Sequence, residues 1–109
     1  MPQVSNYYKI QVVVPVKDAD NIRQIINEAG GSRQGNYDYA SGSVKTVGRF
    51  RPLSGAKPHI GKKGIIEEVE EEIIMTLCHK DKLKEVIQAI SQAHPYEEPA
   101  IDILQRYEI

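Results

Sequence analysis

Residues 73–95 read Ile73-Ile74-Met75-Thr76-Leu77-Cys78-His79-Lys80-Asp81-Lys82-Leu83-Lys84-Glu85-Val86-Ile87-Gln88-Ala89-Ile90-Ser91-Gln92-Ala93-His94-Pro95. This run holds the plan of the chain. Ile73, Met75 and Leu77 alternate with the period of a half-buried strand. They are expected to face a core, with Ile74, Thr76 and Cys78 turned away. After Lys80-Asp81, the residues Leu83, Val86, Ile87, Ile90 and Ala93 recur at helical spacing, the stripe of a helix buried along one side. His94-Pro95 ends that helix, because proline pushes the residue before it out of the α region.

The same order stands earlier in the chain. Tyr8, Ile10, Val12 and Val14 share one face of a strand running from Tyr7 to Val14. Lys17-Asp18 follows, with Asp18 in the place of an N-cap. Ile22, Ile25, Ile26 and Ala29 then form a second helical stripe, and Gly30-Gly31 stops it. A closing strand is predicted from about Ala100 to Tyr107. Between the halves, Tyr37–Ser41 and Val44–Arg51 flank Gly42, which predicts a hairpin. The whole reads as one α+β domain over residues 1–109, a ferredoxin-like sandwich of two βαβ repeats with an extra β-hairpin. With both helices on one face of the sheet, the other is left bare and partly apolar. Another copy of the chain is the economical cover for it, and the hairpin or the loop folding back over it is an equally open alternative.

The chain has 109 residues and a formal net charge of -1. A chain of this length buries roughly 60–70% of its unfolded surface, enough for a single core. Near-neutral charge supplies no general attraction to nucleic acid or acidic membranes. No apolar run approaches the ~20 residues that span a bilayer, and Met1–Asn6 has neither the basic nor the apolar region of a signal peptide. Cys78 is the single cysteine, so no internal disulfide forms; a reducing compartment, the cytoplasm, is the expectation.

Two segments carry candidate chemistry. From Arg49 to Gly64 the chain holds Arg49, Arg51, Lys57, Lys62 and Lys63 with no acid and is rich in Gly and Pro. Such a loop can hold a small anion through backbone N–H groups and cationic side chains. It is not a P-loop: five residues separate Gly55 from Gly61, and Lys63 stands where Ser or Thr would hold magnesium. The acids Glu67 to Glu72 that follow are equally able to neutralise it. The second segment, His94-Pro95-Tyr96-Glu97-Glu98-Pro99, offers Tyr96 as a lid and Glu97 as an acceptor for a small ligand. Its structural reading is a stiff turn bracketed by prolines that feeds the last strand. A divalent metal would draw on His59, His94 and Glu98, although no ligand spacing of a known metal motif is present. The competing role for His94 is to cap the carbonyls of its own helix. Cys78 and His79 point to opposite faces of a strand and cannot share an ion. Cys78 lies mid-strand in an apolar setting, where a thiol pKa rises rather than falls, which argues against a nucleophile. No constellation of nucleophile, base and orienting group is present, so the reading is a non-enzymatic binding protein.

Three stretches give the chain a resemblance: Gly48-Arg49-Phe50-Arg51-Pro52, Gly55-Ala56-Lys57-Pro58-His59-Ile60-Gly61 and His94-Pro95-Tyr96-Glu97-Glu98-Pro99-Ala100. With Asn36-Tyr37-Asp38 and Glu67-Glu68-Val69-Glu70, they resemble the small domain inserted in the NGG-one-interacting-factor-three-like, or dinuclear metal centre, proteins. That domain is PII/CutA-like. The resemblance spans nearly the whole chain, which reads as a stand-alone version of it. It implies a homo-oligomer, a trimer, with ligand sites at subunit junctions. The association of CutA with divalent copper makes a divalent metal the cofactor to look for. The family's two-metal motifs belong to flanking domains and are absent here, which leaves a cryptic metal-dependent hydrolase as the weakest reading. Chains of this type also bear an RTX-toxin label, but no Gly-Gly-x-Gly-x-Asp repeat is present to support it.

Overall fold

In a computed structural model describing residues 1–109, strand β1 (Gln3–Pro15) leads into helix α1 (Ala19–Ala29). Strands β2 (Ser41–Phe50) and β3 (Glu67–His79) follow, then helix α2 (Leu83–Ala93) and strand β4 (Ile101–Glu108). The sheet order is β2-β3-β1-β4 and every pairing is antiparallel. This is the mixed α+β, ferredoxin-like arrangement that the repeat predicts.

The repeat extends to detail. Each Lys-Asp pair lies in a one-turn 3-10 helix, Val16–Asp18 and Lys80–Lys82, rather than acting as a side-chain cap. Asp18 does occupy the cap position of α1, but its side chain makes no capping bond and its Oδ2 is buried without a partner. Gly30 ends α1 in the left-handed region at φ 111°, where a side chain would be strained. His94 ends α2 in an extended conformation, as the following proline requires.

One core fills the space between helices and sheet. Ile10, Val12 and Val14 of β1 meet Ile22 and Ile26 of α1, Val86 and Ile90 of α2, and Ile74 and Cys78 of β3. The expected facing of β3 is therefore reversed. Residues paired across an antiparallel ladder point to the same side, and Val12 pairs with Ile74, Ile10 with Thr76 and Tyr8 with Cys78. Ile73, Met75 and Leu77 lie on the open face instead, beside Val13, Gln11 and Lys9. Residues 73–78 are apolar at nearly every position, so either phase reads as amphipathic. Pairing with β1 makes the choice.

The second correction concerns the hairpin around Gly42. Gly42 is interior to β2, opposite Met75, and the segment before it is not a strand; only an isolated Gln34–Tyr37 bridge forms there. Asn27 of α1 pins that segment, accepting from the Tyr39 N–H at 2.9 Å and donating to Asp38 at 3.3 Å. The hairpin of the fold is β2–β3 itself, with residues 51–66 as its long connection. No helix is long and apolar enough to cross a membrane.

A cleft between the long loop and the proline-bracketed turn

The loop 51–66 folds back towards the sheet instead of extending from it. The Gly64 N–H donates to the Pro52 carbonyl at 2.7 Å and closes its base, with smaller turns at Leu53–Ala56 and Lys62–Ile65. A single hydrogen bond, from the Lys57 N–H to Glu97 Oε1 at 3.1 Å, ties the loop to the turn after α2. Between them lies a cleft of about 850 Å³, within the range of ligand sites. It sits at one end of the open sheet face, floored by Val13, Gly48 and Glu71.

Tyr96 organises this floor. Its hydroxyl donates to Glu71 Oε2 at 2.6 Å. Burial, with that hydrogen bond second, pushes the phenol pKa up, so Tyr96 remains a donor. The backbone under Tyr96 is held by His94, which is only 7% exposed. His94 Nδ1 accepts from the Tyr96 N–H at 3.1 Å, so Nε2 carries the proton and donates to the Val13 carbonyl at 2.6 Å. His94 is thus structural, but its side chain ties a turn to β1. The helix carbonyl of Ile90 is capped by the His94 backbone N–H at 2.8 Å. The rings of Phe50, His59 and His94 surround Tyr96, with centroids at 6.2, 6.4 and 5.1 Å.

Glu71 is the residue that sequence reasoning missed. It is 5% exposed, lines the cleft and forms no ion pair. A Cβ on Gly48 would stand 1.6 Å from Glu71 Oε1, so the carboxylate lies across the space that the absent side chain leaves. A glycine inside a strand is the signal that could have found it, since such a residue often marks a close approach. Its neighbours in the acidic run go elsewhere: Glu72 pairs with Arg23 at 2.9 Å and Glu68 with Arg49 at 3.1 Å.

The cleft brings together many of the expected site residues. Arg49, Arg51, His59, Tyr96, Glu97 and Glu98 all line it. Lys57 contributes its backbone N–H, which Glu97 accepts. Lys62 and Lys63 are exposed on the loop outside the lining, and β2 ends at Phe50, so Arg51 begins the loop. His94 lies beneath the cleft with both ring nitrogens engaged. His59 and His94 are not joined by further ligands: no group of three or more His, Cys, Asp or Glu side chains is arranged to hold a metal. Cys78 is buried in the core, which pushes its thiol up to about 11.

Fold and cleft define the chain as a PII/CutA-like ferredoxin-fold domain with a built pocket beside a bare sheet. A CutA divalent cation tolerance protein from Archaeoglobus fulgidus shares the fold at a TM-score of 0.63 and 17% identity, over 90% of this chain and 81% of that one. A Bacillus cereus protein related to NIF3 matches at a TM-score of 0.79 and 33% identity, over 97% of this chain and 26% of that one. Among curated proteins, a "GTP cyclohydrolase 1 type 2 homolog" of Halalkalibacterium halodurans is 41% identical over 96 residues, 88% of this chain and 26% of that protein. No protein-family model matches. Over nearly its whole length the chain is similar to one segment of the NIF3-related protein and of the "GTP cyclohydrolase 1 type 2 homolog", and it spans about a quarter of the length of those two relatives.

Proposed function

We propose that this protein is a non-enzymatic, homo-oligomeric binding module whose cleft takes a small anionic molecule at a subunit junction. The observation that carries the reading is the position of the cleft, at the end of an uncovered and partly apolar sheet face. Val44 on β2 is 50% exposed and Leu104 on β4 43% exposed, with Ile73, Met75 and Leu77 half-buried between them. A face of this kind stays in water only at a cost of about 25 cal/mol per Å² of apolar surface. A second copy laid on it would also wall the open side of the cleft. The trimer expected from the family resemblance is the assembly that fits this scheme, and the cytoplasm is its expected location. Arg51 lines the cleft, is exposed and has no ion-pair partner, whereas Arg49 is paired with Glu68, so Arg51 is the cation free to take an anion.

Light scattering tests the assembly, and calorimetry with inorganic phosphate and pyrophosphate tests the ligand. The expected results are a particle of several chains at micromolar concentration and an anion response lost in Arg51→Ala. A stable monomer would sink the assembly, and an anion response unchanged in Arg51→Ala would sink the binding mode.

A further inference from the structure

Glu71 has no counter-charge. Burying a carboxylate costs several kcal/mol unless it is paired and hydrogen-bonded. Here one neutral phenol serves Oε2, and Oε1 makes no hydrogen bond. Arg23 is engaged by Glu72 and Asp20 and Arg49 by Glu68, while Arg51 lines the same cleft without forming an ion pair with Glu71. The chain nevertheless preserves room for this carboxylate by placing Gly48 diagonally across the ladder from it, two residues beyond its partner Thr46. The rings of Phe50 and His59 flank Tyr96 beside it, tilted by 58° and 54°. Aromatic rings around a buried anion form a receptor for a flat, positively polarised group, through charge-assisted hydrogen bonding and ring-face attraction.

We infer that the cleft recognises a ligand with a flat, N–H-rich or cationic head, which docks on Glu71 among Phe50, His59 and Tyr96. This deepens the proposed binding function and rests on it for the opposite end of the ligand, the anionic group at Arg51. The ligand class is then amphoteric: a planar N–H donor ring or amidine-like group carrying an acid. The depth of the site sets the polarity, with the anion recognised at the rim and the donor face at the floor. Tyr96 keeps its proton and so fixes Glu71 as the acceptor.

The test uses two probes on the full chain, benzamidinium for the head and inorganic phosphate for the acid, read by amide NMR shifts. Benzamidinium is expected to shift Gly48, Phe50, Glu71 and Tyr96, and Glu71→Gln to weaken it about tenfold or more. Phosphate shifts near Arg51 persist in that variant. Glutamine still accepts from Tyr96 while removing the unpaired charge, so the melting temperature of Glu71→Gln should equal or exceed that of the parent. No benzamidinium shift at concentrations on the order of 10 mM overturns the inference. So does a shift unchanged in Glu71→Gln, or a large fall in its melting temperature, which would make the carboxylate structural. Loss of the phosphate response alone, with benzamidinium retained, overturns the anionic end and leaves the head site standing.

Discussion

At the residue scale, two side chains carry the turn after α2, and each predicts a measurable effect. His94 bridges Tyr96 and the carbonyl of Val13. His94→Ala leaves that carbonyl and the Tyr96 N–H without partners in a nearly closed site. It is expected to cost about 2–3 kcal/mol in urea denaturation, with loosened cleft amides in hydrogen exchange. Tyr96 supplies the second. Its pKa is raised by burial and by Glu71, so its contribution to stability is full below the ordinary tyrosine range and is lost as pH rises through the folded value. In an ultraviolet difference titration of the six tyrosines, Tyr96 should ionise last and only with unfolding; a uniform titration near pH ~10 would contradict this. The sequence exposed His94 and Tyr96 through the unusual His-Pro-Tyr-Glu-Glu-Pro run. It did not expose Glu71, because one acid within a run of acids carries no sign of which strand face it occupies.

At the element scale, the helices were legible and the strand phase was not. The stripe of Ile22, Ile25, Ile26 and Ala29 fits a helix of one orientation only, and all but the half-buried Ile25 join or pack against the core. In β3 the apolar run from Ile73 to Cys78 fits both faces, and the partner strand makes the choice. Gly42 misled for a related reason: a glycine in extended backbone resembles a turn residue until its cross-strand partner, Met75, is known. The far ends of β1 and β4 supply a prediction of their own. Ser5 donates to Glu108, whose carboxyl is held low by that bond and then by Arg106. A lowered folded pKa means the clasp is intact above the ordinary carboxylate range and is lost as pH falls through the folded value. Amides from Gln3 to Ser5 should therefore lose protection, relative to their intrinsic exchange rates, as pH falls below the ordinary carboxylate range, ahead of the β1–β3 core ladder.

At the scale of the whole molecule, strands outrun helices. The thirteen-residue β1 and β3 reach roughly 43 Å, whereas eleven-residue helices cover about 16 Å. The long axis is 49 Å and the others 28 and 23 Å. The sheet is therefore much longer than the helical layer, and its outer face is bare except at the end where the loop 51–66 and the turn after α2 close over it. Met75→Arg at the centre of that face is expected to leave the monomer folded by circular dichroism while converting oligomer to monomer in light scattering. An oligomer that survives this change would place the interface elsewhere, on the β2 or β4 edge.

Amino-acid order alone determined the duplicated plan, the two buried helix stripes, the stops at Gly30 and Pro95 and the kinship of the signature segments. All of these follow from spacing and backbone preference within a few neighbouring residues. Tertiary structure alone decided which side of β3 meets the helices, that Gly48 makes room for Glu71, and that loop and turn close on one cleft. Those outcomes depend on contacts between residues far apart in the chain, where pairing register and the burial of an unpaired charge are set only once the sheet has assembled.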